Sequence, residues 1–205
     1  PALQQRHDMM RAKIAAYTMG AGAVQRMFRK NPRGIGALYG DAIATYLAGS
    51  PRTALTKTDA LLKSQPNNPY LHELRGEVLM KANRPADAAR AFSSAIKLDP
   101  DRTGILRVLR GQALLAAGSV KEAISELKLG LGRDPEFVTG YRHLAQAYGQ
   151  SGDIGLAELA TAEGHYQAGN YRDAKIFAAR AQQKIKRGSP PWIQAQDIIN
   201  FKPPK

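Results

Sequence analysis

An all-α stack of helix pairs, a solenoid, is the fold this 205-residue sequence predicts, and three periodic observations predict it. Small residues recur at Ala42, Gly76, Gly111 and Ala145, and a second series recurs at Ala54, Ala88, Ala123 and Ala157, both in steps of 34, 35 and 34 residues. Gly49, Asn83, Gly118 and Gly152 keep the same step where a turn belongs, since these residue types tolerate left-handed backbone. Pro66, Pro100 and Pro135 close three of the units, because proline cannot continue a helix. Such a period marks an array in which each unit buries its apolar face against its neighbours.

The elements follow in order. DMMRAKIAAYT, residues 8–18, places Met9, Ile14 and Tyr17 near one helical face and predicts a helix. MGAGA then breaks it, a short helix fits Val24 to Lys30, and NPRGIG is a loop leading into the array. The first pair is Ile35 to Ala48 and Pro51 to Ser64, with Pro51 suited to a first helical turn. Asp41 and Thr45 stand where other units mostly carry large apolar groups, so the register is open to a slip of one residue. The second pair, Pro69 to Ala82 and Pro85 to Leu98, sets Leu71, Leu74, Val78 and Leu79 against Ala88, Phe92, Ala95 and Ile96. The third, Thr103 to Ala117 and Val120 to Gly132, sets Leu106, Leu109 and Leu114 against Ala123, Ile124 and Leu127. The fourth begins at Pro135, with Tyr141, Leu144, Ala145 and Tyr148 in its first helix and Ile154 to Gln167 as its second. Gly169 and Asn170 make another turn only 17 residues after Gly152. Half a unit is therefore appended, a helix from Tyr171 to Lys186 packing on the helix before it. GSPP ends that helix, and Trp192 to Phe201 forms a short cap whose Trp192, Ile193, Ile198 and Ile199 cover the open apolar edge. The domain plan is an N-terminal helix and linker from a preceding domain at 1–34, then a repeat domain at 35–205. Its repeats fall at about 35–67, 68–102, 103–136 and 137–168, with a cap at 169–205.

The net charge of +13 is concentrated at the ends. Residues 1–36 and 165–205 each carry +6, while residues 37–164 carry +1. Basic ends admit an anionic-surface or polyanion binder as an alternative function, but no aromatic residues interleave with the arginines, and nucleic acid is not an expected partner. There is no cysteine, so thiolate metal sites and disulfides are excluded. No run reaches the roughly 18 apolar residues of a membrane span.

No enzyme chemistry is legible. A zinc protease needs two histidines one helical turn apart with a glutamate base between them, and His7, His72, His143 and His165 show no such spacing. Gly34 and Gly36 form no phosphate loop, and Ser50, Ser64, Ser93 and Ser94 have no histidine arrangement beside them.

The ladders resemble tetratricopeptide repeats over about residues 35–168, in period more than in residue identity. The large aromatic usual in the first helix of that class is replaced by Leu38, His72 and Arg107 and is present as Tyr141 only in the fourth unit. QRHDMMRAKIAAY, YLAGSPRTALTKTDALLKSQPNNPYLHELRGEVLM and NYRDAKIFAARAQQKIKRGSPPWIQAQDII resemble the carboxy-terminal part of bacterial zinc metalloproteases of the BepA-like, outer-membrane-assembly type. That resemblance implies a periplasmic protein with a preceding HExxH domain holding the zinc. This chain would then be the non-catalytic, cofactor-free part, contacting substrate, the protease domain or the outer-membrane assembly machinery.

Stacked helix pairs line a concave wall with their first helices. The uncommitted faces of those helices nominate Tyr39, Ile43 and Tyr46, then Glu73, Glu77 and Met80, then Val108 and Gln112, then Arg142, Gln146 and Gln150 as a groove for a peptide or loop. The same spacing fits Tyr39 and Ile43 packing against the preceding segment. Glu73 and Glu77, standing where relatives of the repeat class place lysine and asparagine, argue against a clamp for a terminal carboxylate.

Overall fold

The computed structural model describes residues 2–203, and among these it holds twelve α-helices, one 3₁₀ turn and no strand. Positions 1, 204 and 205, at the ends of the expected N-terminal segment and cap, lie outside the described residues. The chain divides into two compact units, Pro1–Asp99 and Pro100–Lys205.

The first unit comprises α1 (Ala2–Met19), α2 (Ala21–Met27), and the pairs α3 (Ile35–Leu47) with α4 (Pro51–Ser64) and α5 (Pro69–Lys81) with α6 (Pro85–Leu98). Turns inside the pairs are left-handed, at Gly49 (φ 86°) and Asn83 (φ 56°). They let the chain close back on itself, with Ser50 N–H donating to the Thr45 carbonyl at 3.2 Å and Arg84 N–H to that of Leu79 at 2.9 Å. The second helix of each pair stops where a residue must precede proline. Gln65 (φ −136°, ψ 69°) and Asp99 (φ −135°, ψ 81°) are thereby held out of the helical region. The small residues mark the close contacts. Ala42, Ala54 and Ala88 have no exposed surface, and a Cβ on Gly76 would stand 2.5 Å from the Phe92 ring.

Two expectations are corrected here. The buried face of α1 is Met9, Ala12, Ala15 and Ala16, whereas Ile14 and Tyr17 stay 55% and 45% exposed. The alanines let α1 lie close to α3, whose Gly36 and Gly40 open the seat. A Cβ on Gly40 would come within 2.6 Å of Val24 and 3.1 Å of Ala12, and one on Gly36 within 2.8 Å of Phe28. The register of the first pair does not slip, because Asp41 and Thr45 make a polar bridge in place of an apolar one. Lys57 donates to the Asp41 carboxylate at 2.6 Å and to the Thr45 hydroxyl at 2.9 Å.

The second unit opens with the 3₁₀ turn Pro100–Arg102, then α7 (Thr103–Ala116), α8 (Val120–Arg133), α9 (Thr139–Gln150), α10 (Ile154–Gln167), α11 (Tyr171–Gln182) and α12 (Pro190–Asn200). Left-handed Gly118, Gly152 and Gly169 turn it. A Cβ on Gly111 would stand 2.6 Å from Leu127, and Ala123 is fully buried, so the ladder again marks the seam within a pair. α10 packs against α9 on one side and α11 on the other, as the appended half unit requires. α9 starts at Thr139 instead of Pro135, because residues after Asp134 are spent on successive turns: Phe137 N–H bonds the Asp134 carbonyl at 3.1 Å, and Gly140 N–H bonds that of Phe137 at 2.9 Å. α11 ends at Gln182, short of Lys186, where Lys184 and Ile185 both turn their N–H groups onto the Ala181 carbonyl at 3.0 Å. The cap buries Ala195 and Ile198, while Ile193 points away and is 50% exposed.

Candidate binding surfaces

The groove nominated in the first unit is occupied by the chain's own α1. Tyr39, Ile43 and Tyr46 are 1%, 0% and 8% exposed in the core that α1 forms with α3, so as ligand contacts these three are corrected: their surface is spent on packing. Glu73 and Glu77 are engaged as well. Lys13 Nζ lies 2.9 Å from Glu73 Oε1 and 3.5 Å from Glu77 Oε1. The Tyr17 hydroxyl donates to Glu77 Oε2 at 3.0 Å and lies 2.7 Å from the Tyr46 hydroxyl, the two rings meeting edge to face. Burial works against the Lys13 charge, but Glu77, Tyr39 and Glu73 outweigh it and raise its pKa. Burial also raises the pKa of Glu77, and Lys13 offsets only part of that. Tyr17 is pushed up by burial and by Glu77. Met80 is half-buried. Glycines one helical turn apart in α3, facing a run of alanines in α1, were the sequence signal for this seat.

In the second unit Val108 is also corrected. It is 1% exposed, with Gly130 and Gly140 allowing close approach to its methyl groups. Gln112 is half-buried, whereas Arg142, Gln146 and Gln150 are exposed, four residues apart along α9. α7 and α9 pack against each other, so these are the nominated positions that still face solvent on adjoining first helices. Below them Glu126 fixes α7 to α8, accepting from Arg107 at 2.8 Å and Arg110 at 2.9 Å.

A cleft that the periodicity did not point to lies in the same unit. Its space, about 600 Å³, is walled by α8, α9, α10 and the start of α12, with Leu131, Tyr141, Leu144, Tyr148, Leu159 and Pro190 among its lining. A second recess of about 340 Å³ continues it toward Tyr166, Asp197 and Phe201, and Tyr141, Glu163, Gln167 and Gln194 line both. Burial pushes the Glu163 carboxyl up to about 7, the Gln194 amide that donates to it and the charge of Lys128 pulling back only partly. Tyr141 is raised to about 12 by burial and then by Glu163. Phe201 packs with Tyr166 and Tyr171, both at 4.9 Å between ring centres. A second glutamate in α10, five residues after Glu158, and tyrosines two turns apart on α9 were the traces in the sequence.

The histidines are dispersed. His72 Nε2 is 2.8 Å from the Pro66 carbonyl, His165 stacks on Phe177, and burial together with Arg142 lowers the pKa of His143. Among the described residues no group of three or more His, Asp or Glu is placed to hold a metal ion, and no helix is long and apolar enough to cross a membrane. Part of the basic charge at the ends is engaged: besides Lys13, Lys184 pairs with Glu158 at 2.7 Å, Arg180 lies over Phe177 and Arg187 over Trp192.

Comparison with known proteins agrees with this architecture. Residues 39–103 and 73–136 match the sequence profile of the tetratricopeptide repeat. No curated protein sequence matches the chain. Among solved structures, MamA from Desulfovibrio magneticus RS-1 superposes with a TM-score of 0.66 at 19% identity, over 81% of this chain and 96% of that one. MamA of AMB-1 gives 0.64 at 18% identity over 81% and 98%. YrrB, described as a tetratricopeptide-repeat protein with an unusual peptide-binding site, gives 0.60 at 18% identity over 78% and 81%. At such low identity the likeness speaks to fold alone. The helix pairs, their left-handed turns and small-residue seams, and the profile matches over residues 39–136 together give this chain a fold built of tetratricopeptide-like helix pairs.

Proposed function

We propose that this domain binds a segment of another protein on the solvent-facing row Arg142, Gln146 and Gln150 of α9, with Gln112 of α7 beside it. The observation that carries the reading is that Arg142, Gln146 and Gln150 are exposed at one-turn spacing while the opposite face of α9, through Tyr141, Leu144 and Ala147, is buried. Amide and guanidinium groups in a row suit the backbone of an extended or looped segment, because each offers N–H donors to the carbonyl groups that an isolated strand leaves unsatisfied. The peptide-binding description of YrrB, a protein of the same fold, supports this class of ligand.

In its finer form, the domain serves a periplasmic zinc metalloprotease of envelope quality control. The metal and the peptide-cleaving groups would belong to a preceding HExxH domain, and this chain would present substrate or an outer-membrane assembly partner to it. The three stretches quoted above carry that parentage. A photo-crosslinking residue at Gln146 in the parent protein should capture an outer-membrane assembly protein or an envelope substrate, and one at exposed Lys121 of α8 should not. Equal capture at both sites would refute the α9 surface. An exclusively cytosolic partner would refute the periplasmic assignment, and a parent without HExxH would leave a repeat adaptor of another kind.

A further inference from the structure

We infer that the cleft over α9 and α10 binds a cationic side chain, an arginine or lysine of a peptide segment, with Glu163 as counter-charge and Tyr141, Tyr166 and Phe201 as walls. Glu163 is the exception among the shielded glutamates of this unit. Glu126 has Arg107 and Arg110, and Glu158 has Lys184. Glu163 accepts only from the Gln194 amide, with no basic group of the described residues within ion-pair distance, in a chain holding 30 Lys and Arg against 17 Asp and Glu. A carboxylate desolvated without a cation is costly, so an entering guanidinium recovers free energy that the folded domain lacks.

The position suits that ligand. Glu163 stands where the two recesses meet, and aromatic rings on the Phe201 side offer faces to a cation. Asp197 adds a second carboxylate at the rim of the smaller recess. The larger recess, lined by Leu131, Leu144 and Pro190, takes an apolar neighbour of the basic residue. Lys128 also lines that recess and disfavours a second cation beside it. The charged and titratable groups that line the two recesses with Glu163 are Lys128 from α8, Tyr141 and Tyr148 from α9, Tyr166 from α10 itself, and Asp197 from α12.

This inference rests on the interaction-domain reading only in taking a protein segment as the ligand, and it uses none of the α9 row. The probe is the peptide acetyl-Gly-Leu-Arg-Phe-Gly-amide, compared with a twin carrying citrulline, a neutral isostere, in place of arginine. NMR titration should shift the amides of Tyr166 and Gln194, with the arginine peptide binding at least about tenfold more tightly, the usual gain for a charge-assisted contact. Glu163→Gln should abolish that preference, while Glu122→Gln, at an exposed position of α8, should keep it. The carboxyl ¹³C signal of Glu163 in the unaltered protein gives a second reading. The arginine peptide should lower its pKa by at least about one unit, and the citrulline peptide should not. Equal binding of the two peptides, or shifts confined to other surfaces, overturns the proposal. So does a dimer that forms without peptide and is lost with Glu163→Gln, since the occupant is then a second copy. Loss of crosslinking at Gln146 with the arginine preference intact would sink the α9 surface and leave this site standing.

Discussion

Replacing Lys13 by methionine tests whether α1 is fastened to the first unit by charge as well as by packing. The side chains of Lys13, Glu73 and Glu77 are 26%, 4% and 18% exposed. Removing one partner of a fully buried pair costs about 3–5 kcal/mol, and solvent access to the lysine reduces the expectation to about 2–3 kcal/mol. The cost should depend on pH in a definite sense. Glu77 already has a raised pKa from burial, and loss of the lysine, which offsets part of that, pushes it further the same way. A carboxyl whose folded pKa exceeds its unfolded value contributes stability that is present below the unfolded value and is lost as pH rises through the folded one. Urea unfolding followed by far-ultraviolet circular dichroism should therefore show a small deficit at pH 4.5, the unperturbed carboxyl value, and the full deficit at pH 8. Adding Glu73→Gln and Glu77→Gln to Lys13→Met should recover much of the loss. A deficit at pH 8 below about 0.5 kcal/mol, the level of a surface pair, or equal deficits at the two pH values, would refute the reasoning.

Other perturbations follow from the same packing and electrostatics. Glu163→Gln should stabilise the domain by roughly 1–3 kcal/mol at pH 8 and leave it unchanged below pH 4.5, because the folded carboxyl, at about 7, gives up stability on ionising; thermal melts at the two pH values decide it. Ala88→Leu inserts a larger side chain at a site with no exposed surface and should cost roughly 1–3 kcal/mol in the same assay, a neutral result showing that the seam of the second pair lies elsewhere. Gly152→Ala meets no atom within 4 Å but keeps φ at 84°, so its cost, about 1 kcal/mol, should come from backbone conformation alone. Gly152→Asn should cost less, as Asn83 holds the corresponding turn at φ 56°; an equal loss would show that the turn needs glycine for another reason.

The repeat was legible because its constraints are local and recur. Gly49, Asn83, Gly118 and Gly152 announce left-handed turns by residue type, and Pro66, Pro100 and Pro135 stop helices through the residue before them. α4, α6 and α10 accordingly begin and end where the sequence placed them. α1 was harder, because its contact with α3 joins a segment outside the period to one inside it. There the small residues Ala12, Ala15, Ala16, Gly36 and Gly40, not the bulky Ile14 and Tyr17, decide which sides meet. The groove shows the same dependence: helical spacing fits Tyr39 and Ile43 equally as ligand contacts or as packing against the preceding segment, and α1 settles it as packing, with Tyr46 covered alongside them. Arg142, Gln146 and Gln150 fared differently, since polar side chains on one side of α9 need no long-range partner to be exposed. The cleft at Glu163 is assembled from four helices whose approach depends on the aperiodic end of the chain, and no spacing rule reports on it.

Trp192 has a practical consequence of its own. It is the single indole of the chain, half-buried at the start of α12 with the Arg187 guanidinium 5.9 Å from its ring centre. Emission excited at the red edge of protein absorption therefore reports only on the stretch from Pro100 onward, and everything up to Asp99 is dark to it. Melting curves read by light and by ellipticity thus become a natural pair, whose separation would reveal the two halves letting go independently and whose coincidence would reveal one cooperative event.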